Sequence, residues 1–497
     1  MGLIKQNQKL TKILMPDSNP IQFYNTLTRR KDAFTPLADN VVRMYVCGPT
    51  VYDEPHIGHL RSAFAFDIIR RVLSETYEVI FVRNVTDVDD KIIVKAKESN
   101  QEIAFVTNKY WNEYHRDLVS MDILEPTHEP KATEHIPEMV NMIQALIDKD
   151  LAYSQNGNVY FRIRSFESYG ALSNQRIDEI QEHQRIDAHP DKEDNLDFAL
   201  WKSSQPGEPA WDSPWGQGRP GWHIECSAMS KKYLGDEFDI HGGGKDLVFP
   251  HHENERSQSM GACGGDFAKA WIHHGLVTID GRKMSKSVGN FFGLNSFVKK
   301  YPVDVLKMFF LQSHYSQDVD FSWDKTEALN RSYESFMHLF SKFDSLGGDT
   351  ATPDLVANYD SEFWASLRDD FNTSKAMAVL HKAMHEANRL LDQGKLDEAQ
   401  STAQWIQKHG QKLSLFNKAT NKDDQYAEAI QTIIDVINTK RKERNFEVSD
   451  FLRAKLQEFN LHVEDSKMGT SIKNIKNIPE ADLVPKLNAL LTQSREM

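Results

Sequence analysis

Residues 44–73 read MYVCGPTVYDEPHIGHLRSAFAFDIIRRVL, and this stretch decides the fold. Its first apolar residues indicate a β-strand that ends in a turn, and the apolar residues at 63–73 repeat at helical spacing. His56 and His59 are therefore predicted at or near a helix N-terminus, where the helix dipole is positive. Gly58 between them has no side chain, so a base or a ribose can approach the backbone closely. The stretch thus predicts a strand–turn–helix unit that binds a nucleotide.

A second motif, KMSKS at 283–287, carries two lysines. Taken alone, the histidine motif is more often a capped surface turn, and the lysine motif is more often a solvated loop. Together, two imidazoles and two lysines suit in-line attack at an α-phosphate, where charge builds up on the phosphate oxygens. The pair predicts adenylate formation with His56, His59, Lys283 and Lys286 as catalytic residues. Lys286 is the preferred ATP lysine, and Gly58 is also predicted to contact ATP.

Length and composition predict a multidomain protein that does not span a membrane. With 497 residues and 40% hydrophobic content, the chain can bury more than one core, and about three domains are expected. No apolar run approaches the roughly 18 residues that a membrane helix needs. A net charge of −13 argues against a generally cationic surface, so RNA binding has to be focal. Three cysteines in a long chain favour a reducing cytoplasm over a disulfide framework.

The order of the predicted elements indicates a nucleotide-binding domain with one interruption. A second buried strand at 79–82 leads into a helix, which fits βαβ construction, and further strands are predicted at 238–241 and 270–274. Between them, residues 126–220 mix helices, a strand at 158–163 and a loop rich in Pro, Gly and Trp, and we interpret them as an insertion. Amphipathic helices are predicted at 304–312, 329–343, 361–393, 396–409, 426–445 and 448–458.

The predicted fold class is α/β. We expect a Rossmann-like catalytic domain with a parallel sheet and an insertion, followed by a helical bundle and a small C-terminal mixed domain. The predicted boundaries are 1–20 for an N-terminal extension, 21–300 for the catalytic domain with its insertion at about 126–220, 301–420 for a connecting unit and helical bundle, and 421–497 for the C-terminal region.

Four residues of types that bind metals are candidates for a metal site. Cys47 ends the first strand, Cys226 lies in GWHIECSAM, and His251 and Glu255 form an i, i+4 pair that can face one ion from a helix. No zinc-finger spacing relates them. Each also has a simpler interpretation, because a lone cysteine usually fills a core and a histidine–glutamate pair usually lies on a surface.

The histidine and lysine motifs resemble the signature motifs of class I aminoacyl-tRNA synthetases. With Cys47, Cys226, His251 and Glu255, the resemblance narrows to the cysteinyl-tRNA synthetase family and extends from about Phe23 to the C-terminal region. It implies that these four residues bind one zinc ion. Zinc prefers thiolate and imidazole, and a site that expands from four ligands to five can accept a substrate thiolate and reject serine. Apolar contact alone discriminates between amino acids only about 10- to 200-fold per methylene, which is why some synthetases need an editing domain. Because a metal bond would select cysteine here, no editing domain is expected.

The same resemblance implies the reaction and the remaining site residues. The carboxylate of cysteine attacks the α-phosphate of MgATP to give cysteinyl-adenylate, and the cysteinyl group then passes to the 3′ end of tRNA(Cys). Gly244 and Asp246 match the ribose-binding element, and Trp222 matches a contact to the amino acid. Thr86 and Asp87 are candidates for binding the amino group. We also expect a cytoplasmic enzyme that is a monomer.

The C-terminal region is expected to read the anticodon. Lys440, Arg441, Lys442 and Arg444 lie on the polar face of a predicted helix and could contact phosphates, although such a face is more often only solvated. Family members often carry a tryptophan shortly after Gly-Thr. This chain has Ile472 there, which offers no aromatic stacking face. The resemblance therefore implies an anticodon-reading role for this region, but no stacking contact at Ile472.

Other interpretations remain open from the sequence. A mycothiol-pathway ligase would use cysteinyl-adenylate to acylate an amino sugar, but it has no need of a long C-terminal region. A catalytically idle zinc- or RNA-binding module conflicts with intact His56, His59, Lys283 and Lys286. A zinc ion with four protein ligands is more often structural than catalytic.

Overall fold

The computed structural model describes residues 20–178, 190–279, 281–284, 291–343 and 353–417, and in the C-terminal part residues 432–433, 436–437, 439–441, 443, 446–458, 462–466, 469–473 and 490–491. The chain divides into two compact units, Met1–Leu415 and Phe416–Met497. Among the helices of the described residues, none is both long and apolar enough to cross a membrane.

The first unit contains both strands and helices and becomes helical toward its end. The strands are β1 (Gln22–Asn25), β2 (Arg30–Ala33), β3 (Val41–Val46), β4 (Glu78–Arg83), β5 (Ala152–Gln155), β6 (Asn158–Phe161), β7 (Phe198–Ser203), β8 (Gly218–Pro220), β9 (Phe238–Gly244), β10 (Ala268–His274), β11 (Val277–Ile279), β12 (Arg282–Lys283), β13 (Val319–Phe321), β14 (His462–Ser466) and β15 (Gly469–Lys473). The α-helices are α1 (Ile57–Ser74), α2 (Asp90–Ser99), α3 (Ile103–Ser120), α4 (Ile136–Asp148), α5 (Trp222–Leu234), α6 (Glu253–Cys263), α7 (Leu294–Val298), α8 (Val303–Leu311), α9 (Trp323–Ser341), α10 (Pro353–Arg368), α11 (Thr373–Asp392), α12 (Leu396–Lys412) and α13 (Phe446–Glu458).

A parallel four-stranded sheet in the order β10-β9-β3-β4 forms the centre of the first unit. Met44 of β3 lies opposite both Phe81 of β4 and Ile240 of β9. These three side chains are buried, because α1 packs on β4 and β9 while α5 packs on β3. The parallel sheet with its flanking helices confirms the predicted Rossmann-like α/β fold class.

The carboxyl ends of these strands meet at one edge of the sheet. Cys47 directly follows β3, Gly244 ends β9, and His274 ends β10. In open α/β sheets, ligands bind in the crevice outside this edge. The fold therefore brings residues from both halves of the chain to one place.

Three glycines at 242–244 lie inside β9, although the strand predicted from the sequence ends before them, at 241. A Cβ atom at Gly242 would lie 2.3 Å from Cε1 of Phe66. Phe66 belongs to α1 and is fully buried. Glycine is required at 242 because the helix packs its aromatic ring directly on the strand backbone.

Gly242→Ala is expected to destabilise the first unit by about 1–3 kcal/mol, because the added methyl overpacks against Phe66. Urea unfolding followed by tryptophan fluorescence measures the change. In a Phe66→Leu background the same substitution should cost less, since the smaller side chain can yield. Equal costs in the two backgrounds would show that contact with Phe66 is not the reason for glycine at 242.

A second sheet, antiparallel in the order β5-β6-β7-β8, lies within residues 126–220. Phe161 and Trp201 are fully buried in its core. The strand predicted at 158–163 is β6, which ends at Phe161 before a 3-10 turn at Ile163–Ser165. β7 and β8 were not predicted from the sequence. β8 consists of Gly-Arg-Pro, so no alternation of apolar and polar residues marks it.

The stretch at 361–393, predicted as one helix, belongs to two helices, α10 and α11. Between them, Asp370 and Phe371 have positive φ values of 63° and 49°. The ring of Phe371 stacks on Phe23 at 5.5 Å between centroids, and the hydroxyl of Tyr315 donates to Oδ1 of Asp370 at 2.8 Å. These contacts hold the chain reversal against the helical periodicity of the sequence.

In the second unit the structure describes α13 and the antiparallel hairpin of β14 and β15. Lys440 lies in a short helical segment, and its ammonium pairs with the carboxylate of Glu443 at 2.9 Å. Arg441 lies in the same segment. Outside the described residues are Lys442, Arg444 and the side chain of Ile472. The predicted contacts of this region with tRNA stay predictions.

Candidate active site

The histidine motif forms the N-terminal cap of α1. His56 is the N-cap residue, and its Nδ1 accepts the backbone N–H of Gly58 at 3.1 Å. Nδ1 of His59 accepts the backbone N–H of His56 at 3.2 Å, and the two rings stack at 3.9 Å. Because each Nδ1 is an acceptor, each neutral imidazole carries its proton on Nε2. Both rings therefore hold an Nε2–H donor near the positive end of α1.

The lysine motif is connected to the histidine motif through the backbone. The N–H of Ile57 donates to the carbonyl of Phe292 at 3.2 Å, shortly after the motif. Lys283 ends β12, which pairs antiparallel with β11, and Met284 is buried. The side chain of Lys283 and the whole of Lys286 lie outside the described residues. Their roles in ATP binding stay predictions.

Gly244 and Asp246 lie at the carboxyl end of β9, where ribose binding is predicted. Asp246 is exposed in the 3-10 turn Lys245–Leu247 that directly follows the strand. A Cβ atom at Gly244 would lie 2.5 Å from Oδ1 of Asp246. Glycine thus lets this carboxylate lie close over the strand end.

Cys47, Cys226, His251 and Glu255 meet in one buried cluster, with their donor atoms within 4.8 Å of one another. Sγ of Cys47 lies 3.6 Å from Sγ of Cys226, 3.5 Å from Nε2 of His251 and 3.3 Å from Oε1 of Glu255. The separation between Nε2 of His251 and Oε1 of Glu255 is 2.9 Å. The ligand atoms come from the end of β3, from α5, from a π-helical turn at Val248–His252 and from the first turn of α6.

The separations from Sγ of Cys47 to Sγ of Cys226 and to Nε2 of His251 agree with a tetrahedral metal site. With Zn–S bonds of about 2.3 Å and Zn–N bonds of about 2.0 Å, tetrahedral angles put two sulfurs about 3.8 Å apart and a sulfur about 3.5 Å from a nitrogen. The corresponding separations here are 3.6 Å and 3.5 Å. Two thiolates, an imidazole and a carboxylate also suit zinc better than magnesium or calcium. The residues present therefore fit a zinc ion.

The protonation of the cluster depends on its members together. Burial and the neighbouring Cys226 hold the pKa of the Cys47 thiol well above its usual value. Burial alone would lower the pKa of His251, but the Glu255 carboxylate raises it to about 10. Burial would raise the pKa of Glu255, yet His241 and His251 hold it well below its usual value. The protons that these side chains share are those that a divalent cation displaces on binding.

The histidines that surround this cluster were not predicted from the sequence. His241 donates from Nε2 to Oε2 of Glu255 at 2.8 Å. Nε2 of His252 lies 3.4 Å from Sγ of Cys47, and its Nδ1 lies 2.8 Å from Nε2 of His273. Cys47, His241, His252 and Glu255 therefore form a second possible ligand set. The set with two sulfurs suits zinc better. In the sequence, the available signal for these histidines was their occurrence in the strings HGGG and PHHE.

A cavity of about 850 Å³ lies beside the cluster. Trp222 lines it, and its indole stacks on the His251 ring at 4.2 Å between centroids. His223 also lines it, with Nδ1 2.8 Å from Nδ1 of His251. A space of this size holds a small ligand with room for part of a nucleotide. Trp222 is thus placed between the metal cluster and an open cavity.

The two candidates for the amino group differ in their surroundings. The hydroxyl of Thr86, which is buried, donates to Oε2 of Glu225 at 2.9 Å. The carboxylate of Asp87 accepts the backbone N–H of Thr133 at 3.0 Å and its hydroxyl at 2.6 Å. Asp87 is therefore already bonded within the protein. Thr86 is bonded to the carboxyl group of Glu225, a residue that was not predicted from the sequence.

Two family models match the chain. Residues 33–331 match the model for tRNA synthetases class I (C) catalytic domain, and residues 362–417 match the model for the DALR domain. The cysteine–tRNA ligase of Persephonella marina is 41% identical over 485 residues, which cover 91% of this chain and 99% of that protein. The chain belongs to the cysteine–tRNA ligase family. The prediction of its family from the two motifs and the four candidate metal ligands is thus confirmed.

Other members of the cysteine–tRNA ligase family are equally similar. The cysteine–tRNA ligase of Hydrogenovibrio crunogenus is 43% identical over 458 residues, which cover 92% of this chain and 100% of that protein. The one from Pseudomonas aeruginosa strain UCBPP-PA14 is 43% identical over 460 residues, which cover 91% of this chain and 99% of that protein. The likeness thus runs through both units of the chain.

Solved structures of more distant synthetases share the fold. A methionyl-tRNA synthetase of Mycobacterium tuberculosis in complex with methionyl-adenylate has a TM-score of 0.57 at 14% identity, covering 82% of this chain and 96% of that one. A putative arginyl-tRNA synthetase of Campylobacter jejuni has a TM-score of 0.53 at 13% identity, covering 75% and 92%. At this identity the likeness concerns the fold alone.

Proposed function

We propose that the protein is a cysteine–tRNA ligase that activates L-cysteine with ATP and transfers it to the 3′ end of tRNA(Cys). The observation that carries this proposal is the buried cluster of Cys47, Cys226, His251 and Glu255, which begins at the carboxyl end of β3 and has a cavity beside it. Relatives named cysteine–tRNA ligase match over nearly their whole length, which supports the same activity here.

Activation is an attack of the cysteine carboxylate on the α-phosphate of MgATP, with pyrophosphate as the leaving group. His56 and His59 donate from Nε2 to phosphate oxygens, because both Nδ1 atoms are occupied by backbone N–H groups. Lys283 and Lys286 add positive charge for the phosphates, and Gly58, Gly244 and Asp246 contact adenosine. These interactions stabilise charge that develops in the transition state, so their loss lowers kcat.

Selection of cysteine is assigned to the metal cluster. Cys47, Cys226, His251 and Glu255 would hold zinc, a Lewis acid that would deprotonate a thiol bound to it, whereas the hydroxyl of serine would stay protonated and bind poorly. Trp222 closes this side of the cavity by stacking on His251. Serine and alanine are then rejected at binding, and an editing step is unnecessary.

Transfer requires tRNA, for which the second unit is the proposed anticodon reader. The terminal adenosine of tRNA(Cys) takes the cysteinyl group without a covalent enzyme intermediate. We further propose that the enzyme acts as a monomer in the cytoplasm. All three cysteines of the chain are free thiols, which suits a reducing compartment.

The test is ATP–pyrophosphate exchange with cysteine, serine and alanine, before and after zinc chelation. Cysteine alone is expected to support exchange, and the chelator should abolish it while added zinc restores it. Exchange with serine at a rate close to that with cysteine would refute the assigned selectivity. Exchange that survives complete removal of the metal would refute the role of the cluster.

A further inference from the structure

Glu225 on α5 is a buried carboxyl group that has no cation paired with it among the described residues. Its side chain is 1% exposed, and its Oε2 accepts the hydroxyl of Thr86 at 2.9 Å. Within the part of the chain that the structure describes, no ion pair includes Glu225. Burial of a carboxylate is costly unless a positive charge or several donors accompany it. Glu225 can therefore accept a cationic partner that the described residues do not supply.

Other acidic groups near Glu225 are bonded within the protein. Asp90 pairs with Lys202 at 2.7 Å and with Arg219 at 2.6 Å, and Glu208 pairs with Arg219 at 3.5 Å. Asp87 accepts the N–H and the hydroxyl of Thr133, and Asp89 accepts the N–H of Lys91 at 2.8 Å. Glu225 is the most deeply buried of these five carboxyl groups and lines the cavity, so it gains most from a cationic ligand.

The Glu225 carboxyl is held in place from the strand ends. The N–H of Gly48 donates to Oδ1 of Asn84 at 2.9 Å, and Nδ2 of Asn84 donates to the hydroxyl of Thr86 at 3.3 Å. Because Thr86 in turn donates to Glu225, a series of hydrogen bonds connects the turn after Cys47 with α5. The side chains of Asn84, Thr86 and Glu225 are all buried, so the position of the Glu225 carboxyl is fixed before any ligand binds.

Glu225 also lies where a small amino acid would sit. It directly precedes Cys226 and is three residues from Trp222, so the three residues share one side of α5. Glu225 and Trp222 both line the cavity beside the metal cluster. A ligand whose thiol is at the cluster has its α-amino nitrogen only three bonds from that sulfur, which keeps the nitrogen within reach of α5.

We propose that Glu225 receives the α-ammonium group of the amino acid, with Thr86 as the positioning residue that orients its carboxylate. This inference rests on the proposed function, because it takes cysteine as the ligand of the cavity. It assigns the recognition of the amino group to α5, on the residue next to a metal ligand, so one helix contacts both functional groups of the substrate.

The test compares two ligands on the full-length, metal-loaded protein by isothermal titration calorimetry. Cysteine carries an ammonium group, and 3-mercaptopropionate keeps the thiol and carboxylate but lacks the amine. Glu225→Gln is expected to weaken binding of cysteine about 10- to 100-fold, the range for a charge-assisted hydrogen bond, and to leave binding of 3-mercaptopropionate within about 3-fold. Glu208→Gln is the matched control, since it lines the same cavity but faces Arg219.

The outcomes separate the two proposals. Equal weakening of both ligands by Glu225→Gln, or unchanged binding of cysteine, would overturn the role of Glu225. Wild-type protein that binds neither ligand would overturn the proposed function itself. Metal content and melting temperature are measured on each variant. If Glu225→Gln loses metal or fails to fold, Glu225→Asp decides: it keeps the charge and is expected to retain the preference for cysteine, whose loss in that variant would overturn the inference.

Discussion

Cys226→Ser is expected to lower the affinity for the metal by more than 100-fold and to lower cysteine activation by at least the same factor. Loss of a residue that only orients a ligand already costs about 10- to 100-fold in affinity, so loss of a ligand costs more. Serine keeps the size of the side chain but offers a hydroxyl, which stays protonated and binds zinc poorly. Cys226 is 1% exposed, so no other solvent-borne ligand can easily replace it.

Metal content by mass spectrometry and ATP–pyrophosphate exchange with cysteine measure the two effects of Cys226→Ser. Cys263→Ser is the matched control, because Cys263 is also a free thiol but lies outside the cluster and contacts Lys231 at 3.2 Å. The control should keep full metal content and exchange. A Cys226→Ser variant with one metal per chain and normal exchange would contradict the assigned ligand set.

His56→Asn is expected to lower the rate of ATP–pyrophosphate exchange about 100- to 1,000-fold and to leave the dissociation constant of cysteine unchanged. Removing one preorganised donor to developing charge has this effect in other enzymes. Asparagine caps a helix well, so it can still accept the N–H of Gly58. The variant thus removes the Nε2–H donor while the start of α1 is kept.

Stopped-flow or steady-state exchange assays, calorimetric binding of cysteine and a melting curve test the His56→Asn prediction together. His128→Asn, at an exposed histidine of the same unit, is the control and should behave as wild type. His56→Ala should show the same loss of rate and an additional loss of about 0.5–2 kcal/mol in stability, because the cap is gone. If His56→Asn weakens cysteine binding and leaves the rate intact, the histidine does not act on phosphate.

The local pattern of apolar residues predicted those helices and strands that have one regular pattern along their whole length. β3 and β4 are apolar runs between turns, and α1 repeats its apolar residues every three to four positions, so period and length identify them. β8 escaped prediction because its three residues are held by neighbouring strands and not by their own pattern. The break between α10 and α11 escaped it because distant contacts at Asp370 and Phe371 impose it.

The residues of the candidate site also include some that the sequence could predict and some that it could not. Residues within one motif, such as His56 and His59, could be placed from sequence because a few backbone bonds of the same turn fix them. Cys47 and Cys226 are 179 positions apart, and only the resemblance grouped them. The surrounding imidazoles of His241 and His252 and the carboxyl of Glu225 depend on how the sheet edge meets α5 and α6, which no local period encodes.

The four proposed metal ligands come from segments that span residues 47 to 255. A cation bound to all four would join these distant segments, as a covalent cross-link would. The unfolded chain has no comparable site. Binding to the folded state alone adds RT ln(1 + [metal]/Kd) to the free energy of unfolding, about 4 kcal/mol when the free metal is 1,000 times Kd. On this ligand set, the supply of metal controls how much of the protein stays folded as well as which amino acid it selects.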